Sequence, residues 1–503
     1  MVTHAQEACS GVLRTQALSL TPDSQGESRI WAMPSLESAA LIDGFIARGL
    51  LPREAATMDA RQLMSYLADH PDVARKLVDN NPGEGAHGSA EEFLHNLGRA
   101  VIDPSDREAL GERRQLTRAY FEGLAVEEQK LVGILFPTEV GNLSGAPFVA
   151  RDAANYVNIV VAREDQAAKV ADLQARLEAA EASLRPGDDA VGEILALQSA
   201  LADNTAVLRT YDTLVAEPHR QIVVFDHASG AYAEVDPPIG PHTGNVAMFV
   251  PGTGTNMGGI LGNVTAYSGF VVDAPKGELS VVTWKGGPLP QSIVPEAVFS
   301  SYSLELGPKL AEFSRDLRQE AHCSTEFNNP ALSVVGHSYG GGAVGVAERY
   351  GLDADRVLHV ESSGMGMGAS TIADYAPTNS QVQRYSMTAP SDPITLAQGN
   401  YIPPWVGHGG DPNTMKGVTQ ISTGYYSDGS LVYGQGAHGG VFDSGSDSRY
   451  QIFQVITGGS VYVVPDPIMV EDVRGLPKEV PFPMPLVRPD DPTSVLGQPK
   501  DIP

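Results

Sequence analysis

The chain has 503 residues, 42% of them hydrophobic and 19% charged, so it can bury a large core, and its length predicts two to four domains. Its 61 acidic side chains against 34 basic ones give a net charge of −27, which repels phosphate backbones and anionic surfaces and argues against nucleic acid as a partner. Two cysteines, Cys9 and Cys323, are too few for a disulfide framework, and no Cys/His spacing matches a zinc site, so no metal and no cofactor is expected.

Residues 1–28 are polar and turn-rich and are expected to be a flexible start. They hold no basic segment followed by an apolar stretch, so the expected location is the cytoplasm, or the exterior by a route without a cleavable leader. No run of 18 apolar residues occurs, so no integral membrane span is expected. A helical region is read over 29–115, where Leu63, Leu67, Val73 and Leu77 mark apolar faces interrupted at Pro71. Next comes a lead-in over 116–217. Within it, Val170, Leu173, Leu177, Ala180 and Leu184 alternate spacings of three and four. After RPGDD the pattern resumes at Ile194, Leu197, Leu201, Asn204, Leu208, Tyr211 and Val215. That periodicity predicts an antiparallel helical hairpin over 161–217, packed within its own chain or forming a homo-oligomer contact.

At Pro218 the period changes. RQIVVFD and AYAEVD, separated by HASG, read as a β-hairpin. NVAMFV, LSVVTW, RVLHVE and VQRYSMTA then read as strands alternating with helices, one of them over about 296–321. This order predicts an α/β domain over 218–464 with a mostly parallel sheet covered on both faces. The segment 465–503 carries ten prolines and is expected to be an extended tail.

The stretch LSVVGHSYGGGAVGV, residues 332–346, runs a short apolar strand into Gly336-His337-Ser338-Tyr339-Gly340 and then into small residues that can form a helix. A strand that turns at once into a helix strains its corner residue and crowds the positions two before and two after it. Glycines there relieve the crowding. The form is that of a nucleophile elbow, with Ser338 exposed above the carboxyl end of a parallel sheet.

A serine hydroxyl attacks only when a base takes its proton, and the base must be oriented by a carboxylate. In α/β-hydrolases the acid and then the histidine follow the serine along the chain. Asp392, in MTAPSDPI just past a late strand, fits the acid; Glu361 in HVESSG and Asp411 in GGDPN are its rivals. Only His408 and His438 follow Asp392, and His438, in the glycine-rich loop GQGAHGGVFD ahead of a last helix, is preferred as the base. His337 is read as structural. Donors for a developing oxyanion are expected from the N–H of Tyr339, directly after the nucleophile, and from Thr253 in PGTGTN, with Gly254 close behind.

VPGTGTN, GHSYGG, ESSGMGMG, SDPI, GHGGDP and GAHGGVFD occur in the order seen in the α/β-hydrolase family of mainly actinobacterial proteins known as the domain of unknown function DUF1023, which the chain resembles over roughly 115–460. YFEGLAVEEQKLVGILFPTEVGNLSGAPFVARDAANYVNIVVA and the helical hairpin are similar to that family's lead-in. The resemblance implies an α/β-hydrolase fold with Ser338, Asp392 and His438 as its triad. The sequence departs from the family pattern in HGGVF after the histidine, in SSGMG where SPGMG is commoner, and in YFEGL where a tryptophan form is usual. These departures bear on substrate fit rather than on the chemistry.

The expected function is a serine hydrolase, esterase- or lipase-like, acting on a small-molecule ester or acyl substrate. The alternatives are a peptidase, amidase or acyltransferase with the same three residues, or a non-catalytic binding module on a hydrolase fold.

Overall fold

The computed structural model describes residues 19–20, 29–30, 38–80, 90–100, 102–183, 191–325, 329–402, 406–464, 468–471, 477–480 and 499–501. Most of the start expected over 1–28, the RPGDD turn and most of the proline-rich tail therefore lie outside the described residues. The chain divides into two compact units. One comprises Met1–Pro238, Asn256–Val264 and Lys285–Pro288; the other comprises Ile239–Thr255, Thr265–Trp284 and Leu289–Pro503.

The first unit is mainly helical. It contains α1 (Ala60–Asp69), α2 (Pro71–Val78), α3 (Arg107–Glu122) and α4 (Val126–Leu135), with the long α5 (Phe148–Ser183) and α6 (Val191–Ala216). Asp59 caps α1 by accepting from Gln62 N at 2.7 Å, and Gln62 returns a bond to the Asp59 N–H at 3.0 Å. Pro71 opens α2 at its first turn, where a missing N–H costs nothing. The core gathers Phe45, Leu63, Leu67, Phe121, Phe136 and Val157.

Helix α5 starts 13 residues before the expected 161. The polar residues that mask the pattern in this stretch are satisfied inside the unit. Asn155 donates to the carbonyls of Gly141 (2.9 Å) and Ile222 (3.1 Å), and Asp152 accepts from Ile222 N at 2.8 Å. Leu173, Leu177 and Leu197 pack against Ala180, Ile194 and Leu201, so the apolar seam of the hairpin is buried between its own two helices.

The antiparallel strands β1 (Gln221–Asp226) and β2 (Ala231–Asp236), read from the sequence as the start of the α/β domain, group with the first unit but are two strands of the one eight-stranded sheet. Asn142 holds both backbone groups of Phe225, at 3.0 and 2.8 Å, and Asp152 and Asn155 hold Ile222.

The second unit is α/β. Its elements are β3 (Asn245–Val250), β4 (Leu279–Lys285), α7 (Ser301–Ser324), β5 (Ala331–His337), α8 (Tyr339–Arg349), β6 (Arg356–Val360), β7 (Gln383–Met387), β8 (Thr419–Gln420) and α9 (Asp447–Thr457). With β2 and β1 these six strands form one eight-stranded sheet in the order β8-β7-β6-β5-β3-β4-β2-β1, and every neighbouring pair among the six is parallel. The order places β3 and β5 centrally, so the loops at their carboxyl ends meet over the middle of the sheet. Phe249 stacks on Tyr267 (4.7 Å between centroids) and Phe270 (5.4 Å), and Val335, Leu358, Met387 and Ile452 complete that core. Among the described residues no helix is long and apolar enough to cross a membrane.

Candidate active site

Ser338 stands between β5 and α8 with φ +55° and ψ −124°. Its flanking glycines are required by close approach. A Cβ on Gly336 would lie 2.6 Å from Gly341 Cα, and one on Gly340 would lie 2.6 Å from the Pro251 carbonyl oxygen. The corner is held by backbone bonds from Ser338 N to Val360 O (3.0 Å) and from Ser363 N to Ser338 O (3.0 Å). The serine is 7% exposed, enough to present its hydroxyl while its backbone stays locked.

His438 reaches this hydroxyl from a single helical turn, Ala437–Gly440, and not from an extended loop. Buried Ala437 and Val441 anchor the turn on both sides of the imidazole. Ser338 Oγ donates to His438 Nε2 at 2.9 Å, and His438 Nδ1–H donates to Asp392 Oδ2 at 2.9 Å. Asp392 lies five residues beyond β7, where it caps the turn Pro393–Leu396 by accepting from Ile394 N at 2.8 Å through Oδ1. Burial pushes the Asp392 carboxyl up, but the bonds from His438 and Ile394 N outweigh it and hold the group below its usual range.

His337 belongs to the same assembly, which its position beside Ser338 in the sequence did not reveal. Its Nε2–H donates to the carbonyl of His438 at 2.7 Å and fixes the turn that carries the imidazole. Burial, and then the neighbouring His438, push His337 down to about 4, so it stays neutral. The rivals weighed from the sequence have other partners. His408 is buried and its Nε2–H donates to Ala297 O at 2.8 Å, while Asp411 caps a turn through Asn413 N (2.8 Å) and the Thr414 hydroxyl (3.1 Å). Glu361 is fully buried at the end of β6, where Oε1 accepts from Ala389 N at 2.8 Å. Burial, with Asp392 adding to it, pushes its carboxyl up to about 9.

Of the expected oxyanion donors, Tyr339 opens α8, and its N–H is among the first four of the helix, which have no intrahelical acceptor. Gly252 packs directly on Ser338, since a Cβ there would meet Ser338 Cβ at 2.6 Å and Oγ at 3.0 Å. This brings the backbone leading into Thr253 to the serine. Gly254 is removed as an alternative, because its N–H is spent on Pro290 O at 2.8 Å.

Glu361, Asp392 and His438 each offer a ligand atom, all within 4.8 Å of one another, and so could in principle share a cation. A metal there would have to displace the proton that joins His438 Nδ1 to Asp392.

No protein-family model matches the chain, and no curated protein does. Among solved structures it is similar to an esterase of Pyrobaculum calidifontis in a monoclinic form, 12% identical with a TM-score of 0.28, covering 56% of this chain and 96% of that one. A Xanthomonas campestris α/β serine hydrolase without a lid is 12% identical with a TM-score of 0.20, covering 39% and 79%. A hyperthermophilic esterase from Pyrobaculum calidifontis is 14% identical with a TM-score of 0.23, covering 45% and 80%. Likeness of this extent transfers neither mechanism nor substrate to the present chain.

Proposed function

We propose that this protein is a serine hydrolase that cleaves carboxylic esters through an acyl-enzyme, with Ser338 as nucleophile, His438 as base and Asp392 as the orienting acid. The observation that carries the reading is the unbroken chain of two 2.9 Å hydrogen bonds from a serine at a strained strand-to-helix corner, through an imidazole, to a buried carboxylate. His438 Nε2 takes the proton from Ser338 Oγ as the oxygen bonds to the ester carbonyl carbon. The carbonyl oxygen becomes an alkoxide facing the N–H groups of Tyr339 and Thr253. Collapse breaks the bond to the alcohol oxygen, which leaves with the proton from His438. Water, deprotonated by the same nitrogen, then releases the acid and restores the serine. Asp392 stays ionised throughout and steadies the imidazolium.

The Tyr339 hydroxyl ties the segment before α7 to the elbow by donating to Phe299 O at 2.7 Å. The order of the six sequence motifs supports placing the chain with the DUF1023 group as part of the same proposal. Incubation with a fluorophosphonate probe tests it. Folded wild type should be labelled on Ser338 and Ser338→Ala should not; an unlabelled wild type, beside a labelled control hydrolase, would overturn the reading.

A further inference from the structure

Three non-glycine residues of the described chain have a left-handed backbone: Ser338 (φ +55°), Ser391 (φ +59°) and Glu361 (φ +45°). Such conformations persist only where the surroundings impose them, and they gather at working sites. Ser338 is the proposed nucleophile and Ser391 immediately precedes the proposed acid. Glu361 has no part in the mechanism above.

Glu361 is tied to the segment that delivers Asp392. Its N–H donates to Met387 O at 2.8 Å, and its Oε1 accepts from Ala389 N at 2.8 Å. Its other oxygen, Oε2, is buried with no donor assigned to it among the described residues, while its carboxyl lies within 4.8 Å of ligand atoms of Asp392 and His438. Two carboxylates that close, cut off from water, cannot both remain ionised. Asp392 has the stronger claim to the charge, because His438 Nδ1–H and Ile394 N–H both donate to it, whereas Glu361 has a single backbone donor. The remaining titratable neighbours are Tyr426, from the segment after β8, and His337, behind His438 on β5. Neither brings a positive charge, His337 being held neutral by burial.

We propose that Glu361 is a positioning residue for the hydrolytic site, its carboxyl neutral and its Oε2–H donating a hydrogen bond to the Asp392 carboxylate. This rests on the reading of Ser338, His438 and Asp392 given above. The bond fixes the rotation of Asp392 and, through it, the plane of the imidazole. The burial that holds Glu361 in the protonated range acts in the same direction.

The test compares wild type, Glu361→Gln and Glu361→Leu on a nitrophenyl ester, with infrared difference spectra at pH 7. A carboxylic acid C=O stretch should be present in wild type and missing in Glu361→Gln. Glu361→Leu should lower kcat by about 10- to 100-fold with KM little changed, the scale expected when a reacting group is misplaced by a fraction of an ångström. Glu361→Gln, whose amide N–H can replace the donor, should recover most of that loss and leave the acid limb of the pH profile where wild type has it. An ionised Glu361 would give no acid band, and its replacement by Gln would move that limb to lower pH; either result overturns the proposal. So does a Gln variant no better than Leu. The band is read without turnover: if it is present while Ser338 takes no fluorophosphonate, the hydrolase reading falls and the Glu361–Asp392 bond stands.

Discussion

Replacing Gly252 with alanine adds one methyl group whose nearest neighbour is Ser338, the proposed nucleophile. The new Cβ would sit 2.6 Å from Ser338 Cβ, 3.0 Å from Ser338 Oγ and 3.0 Å from the His337 carbonyl oxygen, where ordinary contact begins at 3.4 Å. The shortfall at the serine is therefore about 0.8 Å. The Gly252 backbone is outside the left-handed region, so alanine meets no conformational obstacle there and the conflict is purely one of space. If Ser338 gives way by the whole shortfall, its 2.9 Å bond to His438 Nε2 opens past about 3.5 Å and is lost. A displacement on this scale is expected to cost about 100-fold in kcat/KM, or about 2.7 kcal/mol of transition-state stabilisation. The fold should lose less, about 1–3 kcal/mol for a single overpacked methyl. The assay is fluorophosphonate labelling rate and nitrophenyl ester kcat/KM alongside thermal unfolding, with Gly244→Ala as control, since a Cβ at Gly244 meets nothing within 4 Å. A folded Gly252→Ala protein that labels at the wild-type rate would refute the reasoning that this glycine sets the nucleophile's place.

Asp392→Asn leaves the shape of the site but removes the acceptor that holds His438 Nδ1–H, and kcat should fall by about 10⁴-fold with KM nearly unchanged, as read by steady-state kinetics. Buried His359 is pushed down to about 3, so the unfolded chain, with an ordinary histidine at 6.5, binds the extra proton and stability is lost as pH falls below 6.5. Urea unfolding of His359→Leu and wild type at pH 7, 5.5 and 4.5 should therefore diverge in favour of the variant by up to about 1.4 kcal/mol per pH unit, and parallel curves would contradict this. Glu348, with no exposed side-chain surface, accepts from Arg384 at 2.6 Å, so Arg384→Met should cost about 3–5 kcal/mol by stranding a buried carboxylate. Glu348→Gln combined with Arg384→Met should recover part of that loss in denaturant melts.

Sequence alone determined what depends on neighbours in the chain. The elbow is readable because the crowding that demands Gly336 arises within a few residues of Ser338, whereas Gly340 is demanded by the distant Val250–Pro251 backbone, and the hairpin is readable because its seam repeats along each helix. Asp392 is readable as a carboxylate just past a strand. Only the tertiary structure shows that Asp392 and His438, rather than Asp411 and His408, are hydrogen-bonded in line with Ser338, because that depends on which loops return to the same strand ends. Asp392 lies 46 residues from His438, and His438 lies 100 from Ser338. The packing of Gly252 on the serine and the bond from His337 to the His438 carbonyl leave no local pattern either. Nor does the second carboxyl beneath Asp392: in sequence Glu361 is one more acid at a strand end, and only burial beside another carboxylate makes its protonation state a question.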